Sequence, residues 1–181
     1  MIPVKVNKIS YHSKSKSYAI VLKEIEGKRC MPVIIGSFEA QSIALAIEEI
    51  QTPRPLTHDL ICDFISAVDV SLKAIKIYSL NEGVYFAKII IISEHMGEKI
   101  IDARPSDAIA VALRMHTPIL VSKKVFDKVS VEEKLLFQEK ERKKIKKDPL
   151  PELKREMELA IEKEEYELAA ELIDKINNLE V

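Results

Sequence analysis

Three short polar clusters interrupt an otherwise apolar chain of 181 residues: Gly36 to Glu39, Arg54 to Asp59 and Asp102 to Asp107. Their side chains suit hydrolysis of a phosphate ester. Glu39, Asp59, Asp102 and Asp107 are carboxylates able to hold a hard divalent cation through oxygen, and His58 has the intrinsic pKa to move a proton near neutrality. Arg104, and Arg54 between Pro53 and Pro55 in a stiff extended loop, offer forked donors to phosphate. The first and third clusters sit where a β-like run gives way to a helical one, so unpaired N–H groups at a helix start favour an anion there. A cation that activates water, arginine that offsets developing charge and an imidazole that transfers a proton make a workable kit for cleaving a phosphodiester.

Each member also has a plain structural reading. Asp102 can cap the helix that follows it, Glu39 and Asp107 can favour a positive helix start, and Thr57 with Asp59 can do both for a middle helix. The two arginines can pair with these carboxylates and bind nothing. No Gly-rich phosphate loop, nucleophile elbow or HExxH pattern is present, and Ser106 has no histidine near it in sequence. The case for a site is the coincidence of three clusters, and residue chemistry alone reaches an anion or metal site.

An internal repeat must position them. Ile34 to Ile47 overlays Ile100 to Leu113, apolar on apolar, at a constant shift of 66. β-like runs lead into each copy: Val4 to Tyr11, Ser17 to Ile25 and Arg29 to Ile35, then Val70 to Tyr78, Val84 to Ser93 and Lys99 to Ala103. Turn signals at Glu26-Gly27, Asn81-Glu82-Gly83 and Met96-Gly97-Glu98 separate several of them. The repeat helices are rich in alanine and should lie close against a sheet, with Ile43, Ala44 and Ile47, or Ile109, Ala110 and Leu113, facing inward. Between the copies, positions 60, 61, 64, 65 and 68 form a helical stripe behind Thr57 as N-cap. The fold class is therefore α+β: two three-strands-plus-helix units with an inserted helix, then a C-terminal helical hairpin.

Charge is unevenly spread. Residues 1 to 121 carry 14 basic and 13 acidic side chains, 122 to 148 carry 10 and 6, and 149 to 181 carry 4 and 10. The basic part, ending in Arg142-Lys143-Lys144-Ile145-Lys146-Lys147, reads as a solvated helix-to-linker surface, and Pro149 and Pro151 mark a boundary. The expected organisation is a domain over 1–130, a charged helix or linker over 131–150 and a helical hairpin over 151–181. A hydrophobic fraction of 47% beside 31% charged residues excludes a disordered or collagen-like chain. No apolar run nears the ~20 residues of a membrane span, and Met1 to Val4 opens no secretory leader, so no membrane association and a cytoplasmic location are expected. Cys30 and Cys62 lack metal or disulfide spacing and read as buried thiols.

Ile35-Gly36-x-x-Glu39-Ala40, Arg54-Pro55-x-Thr57-His58-Asp59-Leu60 and Asp102-Ala103-Arg104-Pro105-Ser106-Asp107-Ala108 resemble, in order and spacing, the segments of the bifunctional nuclease family. The resemblance covers about residues 1 to 130. It implies a duplicated α+β domain, a homo-oligomer, commonly a dimer, and cleavage of both DNA and RNA. Carried over position by position, the site is Glu39, Arg54, Thr57, His58, Asp59, Asp102, Arg104, Ser106 and Asp107. In that reading His58, Asp59, Glu39, Asp102 and Asp107 are catalytic, Arg54, Arg104, Thr57 and Ser106 hold substrate, and Glu39, Asp102 and Asp107 hold Mg2+ or Mn2+. Residues 153 to 176 are similar to the UVR motif of the excision-repair proteins UvrB and UvrC. Tyr166-Glu167-x-Ala169-Ala170 and Asp174 carry the match, while Ile173 replaces an arginine often seen there. This implies a protein-docking module over 151–181. The rival expectation is a non-catalytic adaptor that binds an anion or protein and docks to a repair or proteolysis machine. A domain of +1 over 121 residues counts against tight nucleic-acid binding. A purely structural oligomer would leave the three clusters apart.

Overall fold

The computed structural model describes residues 1–12, 17–132, 153, 155–158, 168, 171, 172 and 176. The chain divides into two compact units, Met1–Glu133 and Lys134–Val181.

In the first unit, β1 (Ile2–His12), β2 (Ser17–Glu24) and β3 (Arg29–Ile35) lead into α1 (Ser37–Ile47). After α2 (Thr57–Ala67), β4 (Ser71–Asn81), β5 (Val84–Ser93) and β6 (Gly97–Ala103) lead into α3 (Pro105–Arg114). The duplication expected from the shift of 66 is thus two antiparallel triplets, each ending in a helix, with α2 inserted. The β4–β5 turn follows from its sequence. Asn81 pairs with Val84, leaving Glu82 and Gly83 as a two-residue loop with φ of 50° and 84°, and glycine takes the second position at little cost.

The join between triplets is β7 (Ile119–Val121), parallel to β4 and antiparallel to β1, in one eight-stranded sheet ordered β6-β5-β4-β7-β1-β2-β3-β8. Short α4 (Lys123–Val129) and β8 (Val131–Glu132) complete it. The sheet coils strongly. Tyr85 on β5 donates through its hydroxyl to the Pro32 carbonyl on β3, across four intervening strands, at 3.2 Å. This curl lets the two strand-to-helix junctions approach one another.

The core gathers Ile20, Leu22, Met31, Ile75, Ile77, Val121 and Phe126 from the sheet and α4 with Ile43 and Ile109 from the repeat helices. Residues 108–112 of α3 are all buried, and its three alanines there let sheet and neighbouring helices close in on every side. On α1, Ala40, Ser42 and Ile43 face inward. Ile47 does not: it is 40% exposed, because the helix ends there and the chain turns away through Glu49 in a left-handed conformation. The α2 stripe also differs from expectation. Only Ile65 is buried, against Val70 and Val111, while Leu60, Ile61, Phe64 and Val68 remain exposed.

In the second unit, Leu153 and Met157, one helical turn apart, pack against buried Leu172, the contact a helical hairpin requires. Of the segment expected as linker over 131–150, Val131 and Glu132 form β8 against β3, and 133–150 lie outside the described residues, as do the expected turn at 163–165 and the Tyr166 to Ala170 stretch except Leu168.

Candidate functional site

The two repeat junctions meet. α1 starts at N-cap Gly36 and places Glu39 in its first turn; α3 starts at N-cap Arg104, with Pro105 at N1 and Asp107 in its first turn. Both helix starts that could have taken an anion therefore carry a carboxylate of their own. Arg104 bridges them. Its Nε and one Nη donate to the two Asp107 oxygens at 2.7 and 2.9 Å, and its other Nη donates to Glu39 at 2.9 Å. Gly36 makes room for this: a Cβ there would collide with the Glu39 carboxylate.

The cluster continues into α2. His58 Nε2 lies 3.3 Å from Asp107 Oδ1, and Nδ1 lies 2.9 Å from the hydroxyl of buried Ser42 on α1. Burial pushes the Asp107 carboxyl up, but the hydrogen bonds from Arg104 and His58 outweigh it and hold the group below its usual range. An ionised carboxylate only accepts, so Nε2 donates to Asp107. A neutral ring then presents Nδ1 as an acceptor, and the Ser42 hydroxyl donates to it. The arrangement is a hydroxyl, an imidazole and an orienting carboxylate in line.

A cleft of about 950 Å³ opens beside this cluster. Glu39, Thr57, His58, Asp102, Arg104 and Asp107, drawn from all three sequence clusters, line its polar end. Phe38, Phe64, Val68, Met96 and Ile101 form much of its apolar wall. Arg104 keeps 67% of its side chain exposed here, despite three hydrogen bonds. Asp102, near the end of β6, is exposed and forms no ion pair among the described residues.

Three candidates sit elsewhere. Asp59 turns away from the cleft: its Oδ1 accepts from Arg114 Nε at 2.6 Å and its Oδ2 from the Leu56 backbone N–H at 2.8 Å. The Arg114 contact, foremost, lowers its pKa. Asp59 thereby caps α2 from its third position, whereas Thr57, expected as N-cap, is the first helical residue, Leu56 being the N-cap. Ser106 is buried and lines a smaller hollow on the Gly36 side of Arg104. Arg54 stands on the exposed loop before α2, its carbonyl accepting from the Thr52 hydroxyl, and does not line the cleft.

Sequence reasoning passed over Ser42 and Arg114. Arg114, with only 11% of its side chain exposed, also donates to the Ser42 and Ala110 carbonyls and so locks α1, α2 and α3 together. The available signals were a polar residue on the inward face of α1 and an arginine closing an apolar helix. As a metal site the expected trio fits poorly. Glu39 and Asp107 already share Arg104, and no group of three or more His, Cys, Asp or Glu residues is disposed to hold an ion among the described residues.

The duplicated sheet, with its two junctions joined by one arginine over a cleft, defines the class: an internally duplicated α+β domain with a composite polar site. Sequence comparison supplies the family. The bifunctional nuclease domain matches residues 20–134, and the chain belongs to that family; the UvrB/UvrC motif matches residues 147–181. An uncharacterized protein of Mycobacterium tuberculosis is 40% identical over 122 residues, spanning 67% of this chain and 72% of its own. Bifunctional nuclease 2 of Arabidopsis thaliana is 26% identical over 188 residues, 90% of this chain and 55% of its own. Bifunctional nuclease 1 of Oryza sativa subsp. japonica is 25% identical over 111 residues, 60% of this chain and 34% of its own. The chain thus spans about half or less of these plant relatives. No helix among the described residues is long and apolar enough to cross a membrane.

Proposed function

We propose that this chain is a nuclease that hydrolyses phosphodiester bonds of DNA and RNA in the cleft beside Arg104, and that residues 151–181 dock it to a protein partner. The observation that supports this best is the exposed Arg104 guanidinium, held rigid by Glu39 and Asp107 at the mouth of a cleft large enough for a nucleotide. Two carboxylates fix its plane and engage three of its five N–H groups among the described residues, so the second N–H of each terminal nitrogen can donate to a phosphate oxygen and offset charge developing on phosphorus. The attacking water gives its proton to the Ser42 hydroxyl, which passes its own to His58 Nδ1, while Asp107 holds the ring at Nε2 and faces the imidazolium that forms. Asp102 and Thr57 at the rim orient the attacking water. Mg2+ or Mn2+, if used, would have to draw Glu39 or Asp107 away from Arg104, and these steps rely on the chain's own side chains. Asp59 and Ser106 act as structural supports. The test is cleavage of single- and double-stranded DNA and RNA by the purified full chain, with and without Mg2+, against His58→Ala and Arg104→Gln. Equal activity in all three proteins would mean a contaminating nuclease.

A second reading, a non-catalytic adaptor, draws on the cleft itself: three carboxylates face one exposed guanidinium, and the remaining wall is largely apolar. It predicts no cleavage and no salt-sensitive binding of oligonucleotides.

A further inference from the structure

We infer that Ser42, His58 and Asp107 form a nucleophilic triad, and that the cleft beside them also hydrolyses uncharged carboxylic esters carrying an apolar acyl chain. Ser42 lies in the middle of α1, is 8% exposed, and is one of the residues lining the cleft. Its hydroxyl is 2.9 Å from His58 Nδ1, and His58 Nε2 is 3.3 Å from Asp107 Oδ1. Arg104 holds that carboxylate in turn through both of its oxygens. A hydroxyl beside a base, with the base oriented by a third group, is the arrangement that makes serine a nucleophile. Such a triad is recognised by geometry and roles, so its order along the chain is immaterial.

The electrophile decides what the hydroxyl does. A phosphodiester carries a negative charge that opposes an attacking oxygen, and there Ser42 relays a proton from water. An ester carbonyl is uncharged and planar, open to attack by Ser42 Oγ itself. The cleft suits such a substrate. Phe38, Ile61, Phe64, Val68, Ile89 and Ile91 give it an apolar wall for an acyl chain, and a neutral ester meets no opposition from Glu39, Asp102 and Asp107. Thr57 and His58, in the first turn of α2, line the same cleft, and N–H groups of a first helical turn have no intrahelical acceptor. They are the donors available to an oxyanion.

The step closes without any further reactant. Ser42 Oγ bonds to the acyl carbon as its proton passes to His58 Nδ1; the carbon–alkoxy bond breaks, and the leaving alcohol takes that proton. Water then attacks the acyl-serine, gives a proton to Nδ1, and the Oγ–carbon bond breaks as the proton returns to Ser42. One ester and one water become one acid and one alcohol. This inference rests on the Ser42–His58–Asp107 geometry and not on nucleic-acid binding.

The experiment treats the full chain with a fluorophosphonate, which loses fluoride on bonding to an activated serine, and maps the adduct by mass spectrometry. Hydrolysis of p-nitrophenyl acetate, butyrate and hexanoate is followed in parallel for wild type, Ser42→Ala and His58→Ala, with circular dichroism as a check of folding. The expected result is one adduct, on Ser42. Ester turnover should rise by about fourfold per added methylene, the preference of an apolar wall. It should fall to the rate in buffer in Ser42→Ala, and by about 100-fold in His58→Ala. A wild type without an adduct on Ser42 overturns the inference, and so does turnover that Ser42→Ala leaves unchanged, which would assign it to another nucleophile. Should Ser42→Ala misfold, the position of the adduct on wild type decides alone. Cleavage of DNA and RNA by the same untreated protein separates the two readings: an adduct without cleavage removes the nuclease and keeps the esterase, and cleavage without an adduct does the reverse.

Discussion

His58 Nε2 lies 3.3 Å from Asp107 Oδ1, so a histidine in the first turn of α2 is tied to a carboxylate in the first turn of α3, 49 residues later. The same carboxylate is held by Arg104, and Arg104 holds Glu39 of α1. Three helix starts are thereby linked through one guanidinium and one imidazole. Removing any member alters both the shape of the site and the charge at the mouth of the cleft.

Replacing Arg104 with glutamine separates these two contributions. The side chain is mostly exposed, so its ion pairs contribute little stability, and the folding midpoint should move by no more than about 1 kcal/mol. Cleavage should fall by about 100-fold, the loss typical of removing one donor aimed at developing charge. Parallel urea titrations and single-turnover cleavage check both. Full activity in Arg104→Gln would remove the phosphate clamp from the site.

Arg114 should behave in the opposite way. Arg114→Leu leaves the half-exposed Asp59 and the Ser42 carbonyl without their shared donor, and should cost about 1–2 kcal/mol. It should also change the pH dependence. Asp59 and Asp107 both titrate below the ordinary carboxylate value of 3.8 when folded, so their contributions are complete above it and are lost as pH falls through the lower folded values. Wild type should lose stability as acidification passes below about pH 4. Arg114→Leu should show a flatter fall, because its Asp59 no longer has the partner that lowers it. Urea midpoints between pH 7 and 3 read both effects; identical slopes would show that the Asp59 pair contributes nothing.

The six long strands and two repeat helices were legible because each repeats a period: alternation in the strands, alanine-rich helical spacing in the helices, and a shift of 66 that repeated both. β7 and α4 were not, since three and seven residues are too few to show a period, although β7 holds the two triplets together. Glu39, Asp102, Arg104 and Asp107 stood out as polar residues at strand-to-helix junctions, and His58 in the proline-flanked cluster before the middle helix. The separation of Asp59 from them did not. Adjacent helix positions point about 100° apart, so His58 faces the cleft while Asp59 faces Arg114, a distinction that needs the neighbouring helix to be known. Ser42 and Arg114 stayed hidden because their partners lie 16 and 55 residues away.

Gly36 gives a test of position without removing any functional side chain. Its φ of −76° and ψ of 174° suit alanine, so Gly36→Ala should fold with a stability change below about 1 kcal/mol. The added methyl, however, must push the Glu39 carboxylate from where it meets Arg104. A guanidinium free to swing on one side should lower cleavage by up to about 100-fold. Glu39→Gln, which weakens the pair in place, should lower it in the same direction, and unchanged activity in both would show that Glu39 does not position Arg104.

Salt dependence measures how much of nucleic-acid binding runs through this cleft. Each phosphate neutralised on a single strand contributes about −0.7 to the slope of log affinity against log salt. The cleft offers Arg104 against the carboxylates of Glu39, Asp102 and Asp107, and Arg54 on the loop before α2 does not line it, so one or two phosphates at most are neutralised there. Anisotropy titrations of a labelled single strand between about 20 and 200 mM salt should therefore give a shallow slope, near −1. Arg104→Gln should make it shallower still. A slope of about −3 or steeper, unaffected by Arg104→Gln, would move binding to the lysine-rich 122–148 stretch, whose 10 basic and 6 acidic side chains are the main positive surplus of the chain. The cleft would then have to be a site for something other than a nucleic-acid backbone.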